Sequence, residues 1–503
     1  MDIFQGIMQG FSVLLVPTKL LACFIGVLIG TAVGVLPGIG PSGTIALLLP
    51  LTFYLDATSA IIMLAGIYYG TMYGGSTTSI LVNVPGEAQS VVTCLDGYQM
   101  ARQGRAGPAL GIAAFGSFIA GTIGVIGLML LAPPLARFAL RFGPAEIFAL
   151  VLLAFALVGY LASGSMAKAL MMAVLGLLLA SVGIETISAR TRFSFGSVNL
   201  QAGIDMVPLI MGLFGLGEVL EEMGKKAKTD ARKYTPKFWE LFPTRKDWRA
   251  SLAPIGRGSL IGFFIGILPG GTGIVASFSA YAIEKRISKH PERFGQGVIE
   301  GVAAPEAANN AAAQGAYIPL LTLGIPGNAA MALTLGALQI HGVIPGPLLI
   351  RQHPEVFWGV VASMYLGNIL LLTLNLPLIG MWVRLLTIPT SILYPMIILF
   401  CIIGAYSVNN NVFDVGMLFF FGFLGYVLRK LNFELAPLIL GFILGPIMEV
   451  NARQALIISH GKLSVFFSTP ISTVLLLLAF FVIFTSLYKS IRGKKRGEEL
   501  KMI

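Results

Sequence analysis

Long apolar runs separated by short polar segments dominate the chain. The clearest runs cover 110–131, 147–161, 166–181, 205–220, 357–381, 388–403, 412–428, 435–448 and 474–487. A helix needs about 20 apolar residues to span a bilayer. The ten-residue alternation typical of a membrane β-barrel does not accompany these runs. The pattern therefore predicts an all-α polytopic membrane protein.

Glycine and proline interrupt several of the apolar segments. The chain holds 60 Gly and 27 Pro, and they cluster in stretches such as 36–43 (LPGIGPSG) and 268–273 (LPGGTG). Non-helical backbone at membrane depth occurs only where protein buries it or where it lines a hydrated cavity. Close helix packing explains scattered glycines, but the clusters predict re-entrant hairpins and broken helices.

Three short matches occur in the same order in the two halves of the chain. They pair 30–38 with 262–270, 81–87 with 322–328, and 208–212 with 437–441. Preserved order indicates a duplicated unit. We assign four segments: a first repeat at 1–222, a basic cytoplasmic linker at 223–253, a second repeat at 254–468, and an extra C-terminal transmembrane helix with a basic cytoplasmic tail at 469–503.

The net charge of +11 comes mainly from basic loops and fixes orientation, so no nucleic-acid partner is expected. With the linker and the tail in the cytoplasm, the matched helices 205–220 and 435–448 run in opposite directions. This predicts inverted repeats with binding sites between them near the midplane. This topology places Arg190, Arg192 and Arg453 on the outer side of the membrane, which counts against it. It leaves residues 1–18 unassigned.

The same topology predicts the form of the glycine- and proline-rich segments. Segment 260–282 is expected to be a re-entrant hairpin from the cytoplasmic side, and 24–53 its counterpart from the periplasmic side. Segments 61–84 and 307–338 are expected to cross the membrane as broken helices.

Broken helices supply binding groups without charged side chains. A helix that starts inside the membrane directs free N–H groups and its positive dipole end at a cavity, which suits an anion. Unwound carbonyls and helix C-termini suit a sodium ion. Hydroxyl, amide and glycine groups concentrate at 42–44, 74–79, 271–273 and 309–310.

Glu306 precedes a long apolar stretch, and a carboxylate inside a membrane suggests a cation or proton site. The interpretation we favour is an acid at a helix N-terminus on the membrane boundary, after Pro305. Glu87 gives a similar but weaker signal. The sequence shows no nucleotide-binding loop, metal-ligand spacing or catalytic constellation, so neither an enzyme nor a bound cofactor is expected.

Segments 34–40, 69–81, 304–310 and 319–327 resemble the large membrane subunit of the tripartite tricarboxylate transporter family. The resemblance covers nearly the whole chain. It implies a multi-pass protein of the bacterial inner membrane that works with a small membrane subunit and a periplasmic solute-binding protein. It also implies import of a di- or tricarboxylate such as citrate, driven by Na⁺ or H⁺, with an ion-transporter-like transport domain moving against a scaffold.

The resemblance also suggests ligands at the matching positions. The candidate substrate ligands are Gly38, Ser42, Gly43, Ser76, Thr77, Thr78, Gly271, Thr272, Asn309 and Asn310. The candidate cation ligands are Gly40, Thr44, Asn83, Gly273, Thr322 and Asn328.

Two other functions compete with a carrier. An ion or anion channel with re-entrant filter segments would normally repeat one filter sequence around an axis, whereas the breaks here form two unlike pairs. An intramembrane enzyme would need paired aspartates, a Ser–His pair or a metal cluster, and the sequence has none of these.

Overall fold

The computed structural model describes residues 2–36, 40–161, 165–185, 187, 189–223, 238–385 and 390–499, without the side chains of 390 and 486–499. The described residues are almost entirely helical, and eight of their helices are long and apolar enough to cross a membrane. The predicted all-α polytopic membrane fold is confirmed. The described strands, β1 (Gly183–Ile184) and β2 (Thr191–Arg192), form a short antiparallel hairpin.

The helices of the first half are α1 (Ile3–Leu14), α2 (Pro17–Val35), α3 (Pro41–Thr52), α4 (Ala57–Val82), α5 (Val91–Arg102), α6 (Ala106–Ala139), α7 (Pro144–Leu161), α8 (Met166–Ala180), α9 (Val198–Gln201), α10 (Met206–Ile210) and α11 (Gly217–Met223). A π-helical segment, Met211–Leu216, joins α10 to α11.

The helices of the second half are α12 (Arg245–Ile267), α13 (Gly273–Ile287), α14 (Glu300–Gly315), α15 (Tyr317–Leu323), α16 (Ala329–Ile340), α17 (Leu349–Gln352), α18 (Pro354–Asn375), α19 (Ile379–Leu385), α20 (Thr390–Asn409), α21 (Val412–Lys430), α22 (Ala436–Ile458) and α23 (Pro470–Glu499). α1 packs against α18 and α23 against α7. The contact between α1 and α18 places the N-terminal segment, which the predicted topology leaves unassigned, within the fold.

Ridges of glycine hold the first long helix of each half against a later helix. A Cβ on any ridge glycine of α2 would collide with the backbone of α4, and one on any ridge glycine of α12 would collide with the backbone of α14. The ridges consist of Gly26, Gly30 and Gly34 on α2, and of Gly258, Gly262 and Gly266 on α12. The first matched segments of the sequence therefore make the same kind of contact.

The helix before each second matched segment ends in the same way. α4 ends at Asn83 with φ 58°, and α15 ends at Gly324 with φ 68°, both left-handed. A Pro-Gly pair follows each end. A side chain then caps the next helical turn: Glu87 accepts the N–H of Gln89, and Asn328 accepts that of Met331.

The two halves interlock. α14 packs against α6, α18 packs against α4, α22 packs against α8, and the segment from α10 to α11 packs against α21. Each half therefore supplies neighbours to the other. The division into repeats and their opposite orientation across a membrane stay predictions.

The helix pairs α2–α3 and α12–α13 lie where hairpins are predicted. Arg257 of α12 forms an ion pair with Glu284 of α13, with 2.6 Å between Nη2 and Oε1. The two helices therefore run back along each other as a hairpin. α12 begins at Arg245, capped by Thr244, and so inside the predicted linker. The basic stretch 224–237 of that linker lies outside the described residues.

The prediction that 61–84 is broken along its length is wrong, because α4 is one continuous helix up to Val82. The glycines of 74–79 serve close packing, and a Cβ on Gly74 would collide with the carbonyl of Thr31. Segment 307–338 is broken, but at 324–328, and Asn309 and Asn310 lie within continuous α14.

Carboxylates neutralise two of the three arginines that count against the predicted topology. Arg192 pairs with Glu449 at 2.9 Å and with Glu185 at 3.5 Å, and Arg453 pairs with Glu449 at 2.9 Å. The Glu449 hydrogen bond raises the pKa of Arg192. Both arginines lie at one end of the molecule, where this compensation weakens the objection.

Candidate functional site

A cavity of about 350 Å³ lies between the second helix pair and helices α7, α21 and α22. Ligand sites of small molecules usually fall between about 300 and 1,000 Å³. Thr272, Gly327, Asn328 and Arg429 supply polar groups, and Phe433 is among its apolar lining. The size and the mixed lining suit a small polar ligand.

Both breaks of the second half meet at this cavity. Gly270 has φ 83°, which favours glycine, and its N–H donates to the carbonyl of Gly327 at 2.8 Å. Thr272 caps α13, and Asn328 caps α16. α22 also begins at the cavity, at Ala436. Three helices thus start at its wall, and their positive dipole ends favour an anion there.

Arg429, at the end of α21, brings a guanidinium group to the cavity. It lies 3.7 Å from Glu218 and 3.6 Å from Glu221, both of α11. Its guanidinium stacks over Phe214, 5.7 Å from the ring centroid. Its Nε is buried and has no hydrogen-bond partner in the described part of the chain. The Nε donor of this group is therefore not used by the described part of the chain.

Arg429 is not among the predicted site residues, because the broken helices were expected to bind an anion without charged side chains. The only local signal is its place directly after the run 412–428.

The first break carries an internal carboxylate. The N–H of Gly40, at the start of α3, donates to Oε1 of Glu218 at 3.3 Å. Because Glu218 also pairs with Arg429, one carboxylate connects the first break to the arginine of the cavity. A carboxylate at a helix start is therefore already part of this fold.

The candidate substrate ligands divide among three places. Thr272 lines the cavity and Gly271 precedes it at the same break. Ser42 and Gly43 lie in the first turn of α3, and Gly38 lies outside the described residues. The others lie within two continuous helices: Ser76, Thr77 and Thr78 on α4, and Asn309 and Asn310 on α14.

The space beside Ser76 and Thr77 is small, about 20 Å³, enough for about one water molecule. In this conformation it cannot hold a di- or tricarboxylate. Of the places that hold candidate substrate ligands, the break at Thr272 has the room for one.

Glu306 is the centre of a buried polar cluster between α4, α5 and α14. It is 1% exposed, accepts the hydroxyl of Ser76 at 2.5 Å, and also accepts that of Thr93. The favoured interpretation of Glu306 as an acid at a helix N-terminus is wrong. α14 begins at Glu300, ahead of Pro305, so Glu306 lies one and a half turns inside the helix.

Glu87 is a second buried carboxylate near this cluster. It is 4% exposed and accepts Nδ2 of Asn309 at 3.2 Å. Its side chain lies against Gly75, where a Cβ would come within 2.6 Å of Cγ. Among the described residues, no lysine, arginine or histidine pairs with Glu87 or Glu306. A buried carboxylate without a positive partner is costly.

The candidate cation ligands do not form one cluster. Gly40 and Thr44 lie at the first break, where the Thr44 hydroxyl donates to the Gly40 carbonyl at 3.1 Å. Asn83 is exposed at the end of α4. The remaining three lie in the second half, at different elements: Gly273 on α13, Thr322 on α15, and Asn328 before α16. Their role in ion binding stays a prediction.

One contact between the halves occurs twice. Asn309 of α14 donates to Glu87, and Asn328 donates to the hydroxyl of Tyr68 of α4 at 3.0 Å. Tyr68 follows Ile67, which packs on the middle ridge glycine Gly30. Asn309 follows Ala308, which packs on the middle ridge glycine Gly262. Glu87 and Asn328 end the second pair of matched segments. Equivalent positions thus join the two halves, once with a carboxylate and once without.

A family model described as the tripartite tricarboxylate transporter TctA family matches residues 20–440. Two relatives come from Agrobacterium vitis. The "Uncharacterized 52.8 kDa protein in TAR-I ttuC' 3'region" is 49% identical over 495 residues, which cover 98% of each chain. The "Uncharacterized protein in TAR-II ttuC' 3'region" is 53% identical over 234 residues, which cover 46% of this chain and 97% of the relative. No solved structure matches the chain.

Proposed function

Because the chain belongs to the tripartite tricarboxylate transporter TctA family, we propose that it is the large transmembrane subunit of a binding-protein-dependent secondary transporter. It imports a di- or tricarboxylate across the bacterial inner membrane, driven by a sodium or proton gradient. A small membrane subunit and a periplasmic solute-binding protein complete the assembly.

The cavity at the second pair of breaks supports this proposal most directly. A guanidinium matches the two oxygens of a carboxylate, and the pairing is a strong form of hydrogen bond. One substrate carboxylate pairs with Arg429. A second approaches the start of α13 at Thr272, where N–H groups of the first helical turn lack partners within the helix. A substrate with more than one carboxylate occupies both groups at once.

The elements around the cavity suggest what moves. Thr272 and Asn328 lie on the helix pair and on the break loop, and Arg429 and Pro437 lie on α21 and α22. We propose that the broken elements form a transport unit that shifts against α7, α21 and α22. The substrate then binds where the two units meet, as in other carriers with broken helices.

Uptake into proteoliposomes tests the proposal. The chain is reconstituted with its small membrane subunit and its periplasmic binding protein. Radiolabelled di- and tricarboxylates are then offered with an inward sodium gradient, an inward proton gradient, or neither. We expect accumulation above the outside concentration that requires one gradient and the binding protein. Equilibration that is indifferent to both would favour a channel and overturn the proposal.

A further inference from the structure

We propose that the amide oxygens of Gln89 and Asn309 form a sodium site against the backbone of Gly273, and that the buried carboxylate of Glu87 supplies its negative charge. The inference deepens the proposed function, on which it rests, because it names the coupling ion and the groups that bind it. Glu87 and Gln89 come from the turn that follows α4, and Asn309 comes from α14.

The geometry converges on Gly273, the first residue of α13. A Cβ at this position would collide with Oε1 of Gln89 and would lie 2.7 Å from Oδ1 of Asn309. Glycine therefore lets two amide oxygens meet beside the hairpin backbone. Glu87 joins them through its hydrogen bond with Nδ2 of Asn309, at 3.2 Å.

Both amide oxygens are buried and have no hydrogen-bond donor in the described part of the chain. Asn309 is itself 1% exposed. Its Nδ2 is held by Glu87, so its Oδ1 is directed to the other side, towards Gly273. Buried polar atoms without partners are rare in folded proteins, and each calls for a specific explanation.

The chemistry of the group favours a cation over a proton. A proton on Glu87 would neutralise the carboxylate but would leave both amide oxygens unpaired. A hard cation takes amide oxygens as ligands. Glu87 and Glu306 supply negative charge nearby, and their own oxygens stay hydrogen-bonded. Glu87 accepts Asn309 Nδ2 and the N–H of Gln89, and Glu306 accepts the hydroxyls of Ser76 and Thr93.

The ligand set favours a monovalent ion. Divalent ions such as Ca²⁺ take about six to eight oxygen ligands, carboxylates among them, whereas the unpaired oxygens here are those of two neutral amides. The start of α13 opposes a cation by roughly half a charge, which is less than the full charge that Glu87 supplies.

The position of the site explains how an ion and a substrate are coupled. Thr272 and Ile274, on either side of Gly273, line the substrate cavity. The ion therefore binds beside the peptide segment that also receives the substrate. It ties the start of α13 to α14 and to the loop that follows α4. The substrate end of the hairpin is then fixed only while sodium is bound.

The equivalent contact in the other half argues for one such site. Asn328 and Tyr68 meet there with neutral side chains. Because the contact between Asn328 and Tyr68 contains no carboxylate, it offers a cation no negative charge. Of the two equivalent contacts, the one at Asn309 and Glu87 therefore forms the sodium site.

Sodium binding to the purified chain, without substrate or partner proteins, tests the inference. The melting temperature is compared in NaCl, KCl and N-methylglucamine chloride at constant ionic strength. The dissociation constant is measured with ²²Na⁺. We expect stabilisation by sodium alone, and a dissociation constant at least about tenfold higher in Glu87→Gln and in Gln89→Leu.

Gln314→Leu is the matched control. Gln314 also lies on α14 and also has a buried Oε1 without a donor, but it packs towards Gly124 of α6. This variant should keep wild-type sodium binding. Gly273→Ala gives a second probe of the site, since its methyl group displaces Gln89 without removing any ligand. It should weaken sodium binding as well.

Several results would overturn the inference. The first is that sodium does not stabilise the wild-type chain. The second is that Gln314→Leu weakens sodium binding as much as Gln89→Leu does. The third is that low pH stabilises the chain and sodium does not change this stabilisation. Uptake driven by protons alone would also overturn it while leaving the proposed transport function intact. Conversely, sodium binding with no carboxylate uptake would support the site and reject the transport proposal.

Discussion

Asp96, which is wholly buried, shows how this protein accommodates a carboxylate with its own donors. The carboxylate accepts the N–H groups of Gly295, Gly297 and Val298 at 2.8–2.9 Å and the hydroxyl of Tyr281 at 2.8 Å. Hydrogen bonds to a charged group contribute about 1.5–3 kcal/mol each. We expect Asp96→Ala to lower the free energy of unfolding by roughly 3 kcal/mol or more, measured by thermal or denaturant unfolding in detergent.

Glu292→Gln, in the same segment, provides the control. Its carboxylate is exposed and pairs with His290, and such surface pairs contribute about 0–1 kcal/mol. Equal stability of the two variants would show that Asp96 does not hold this segment.

Arg429 gives the second prediction at this scale. Arg429→Gln removes the positive charge of the cavity, and Arg429→Lys keeps the charge but loses the planar pair of donors. We expect Arg429→Gln to lower uptake at limiting substrate by at least about tenfold, as loss of a charge-assisted hydrogen bond predicts, and Arg429→Lys to fall between it and the wild type.

Arg351→Gln on α17 is the control, because Arg351 is exposed and does not line the cavity. Wild-type uptake by Arg429→Gln would remove this residue from the substrate site.

Single residues also show what the sequence could predict of the candidate site. Thr272 was predictable, because it follows a Pro-Gly pair inside an apolar run. Arg429 and Gln89 were not, because each reaches its partners across hundreds of positions in the chain. Glu306 was misassigned, since sequence alone does not tell whether a helix begins before or after a proline.

At the scale of elements, the glycine ridges set the spacing of the helices. Gly262 on α12 faces the backbone of Ala308 of α14, and a Cβ there would collide with it. The distance between the helices is therefore that of backbone contact, which small residues permit in membranes.

We expect Gly262→Val to force α12 from α14, and forced overpacking costs about 1–3 kcal/mol. The yield of monodisperse protein in size-exclusion chromatography and its melting temperature measure the effect. Gly256→Val on the same helix is the control, because a Cβ on Gly256 would meet nothing within 4 Å. If both variants behave alike, the cost comes from the valine and not from the contact.

The breaks show which local signal is informative. The described breaks at 83–87, 268–272 and 324–328 each contain a Pro-Gly pair, and 74–79, which lacks proline, is helical. Glycine alone has two uses in a membrane helix, interruption and close packing, and composition does not separate them. Proline also removes a backbone donor, so the pair identifies the break.

At the scale of the whole molecule, side-chain contacts bring distant loops to one end. Asn411 donates to Asn199 at 3.1 Å, and Arg192 pairs with Glu449. The helix α21 (Val412–Lys430) then runs from Asn411, its N-cap, towards the opposite end, where Asn432 follows it. The positive charge of the loops predicts which of them share the cytoplasmic side.

Cysteine labelling tests the predicted orientation. In a variant without native cysteines, a cysteine at Val198 should react with a membrane-impermeant maleimide added to intact cells. One at Asn432 should react only after the cells are opened. Both positions are exposed, so access to the reagent depends on the side of the membrane. The reverse pattern would invert the assignment, and labelling of both in intact cells would exclude the spanning of α21.

The connection from Gly40 through Glu218 to Arg429 bears on the return of the empty carrier in the transport cycle. A carrier that works as proposed must reset after each delivery, and the returning transport unit would then cover Arg429 without a counter-charge, which is costly. Here Glu218 and Glu221 already lie beside Arg429. An arriving substrate carboxylate replaces Glu218 and Glu221 beside Arg429. When the substrate leaves, the two glutamates pair with Arg429 again. The empty protein thus resets with its arginine neutralised, which favours rapid turnover over a tightly held substrate.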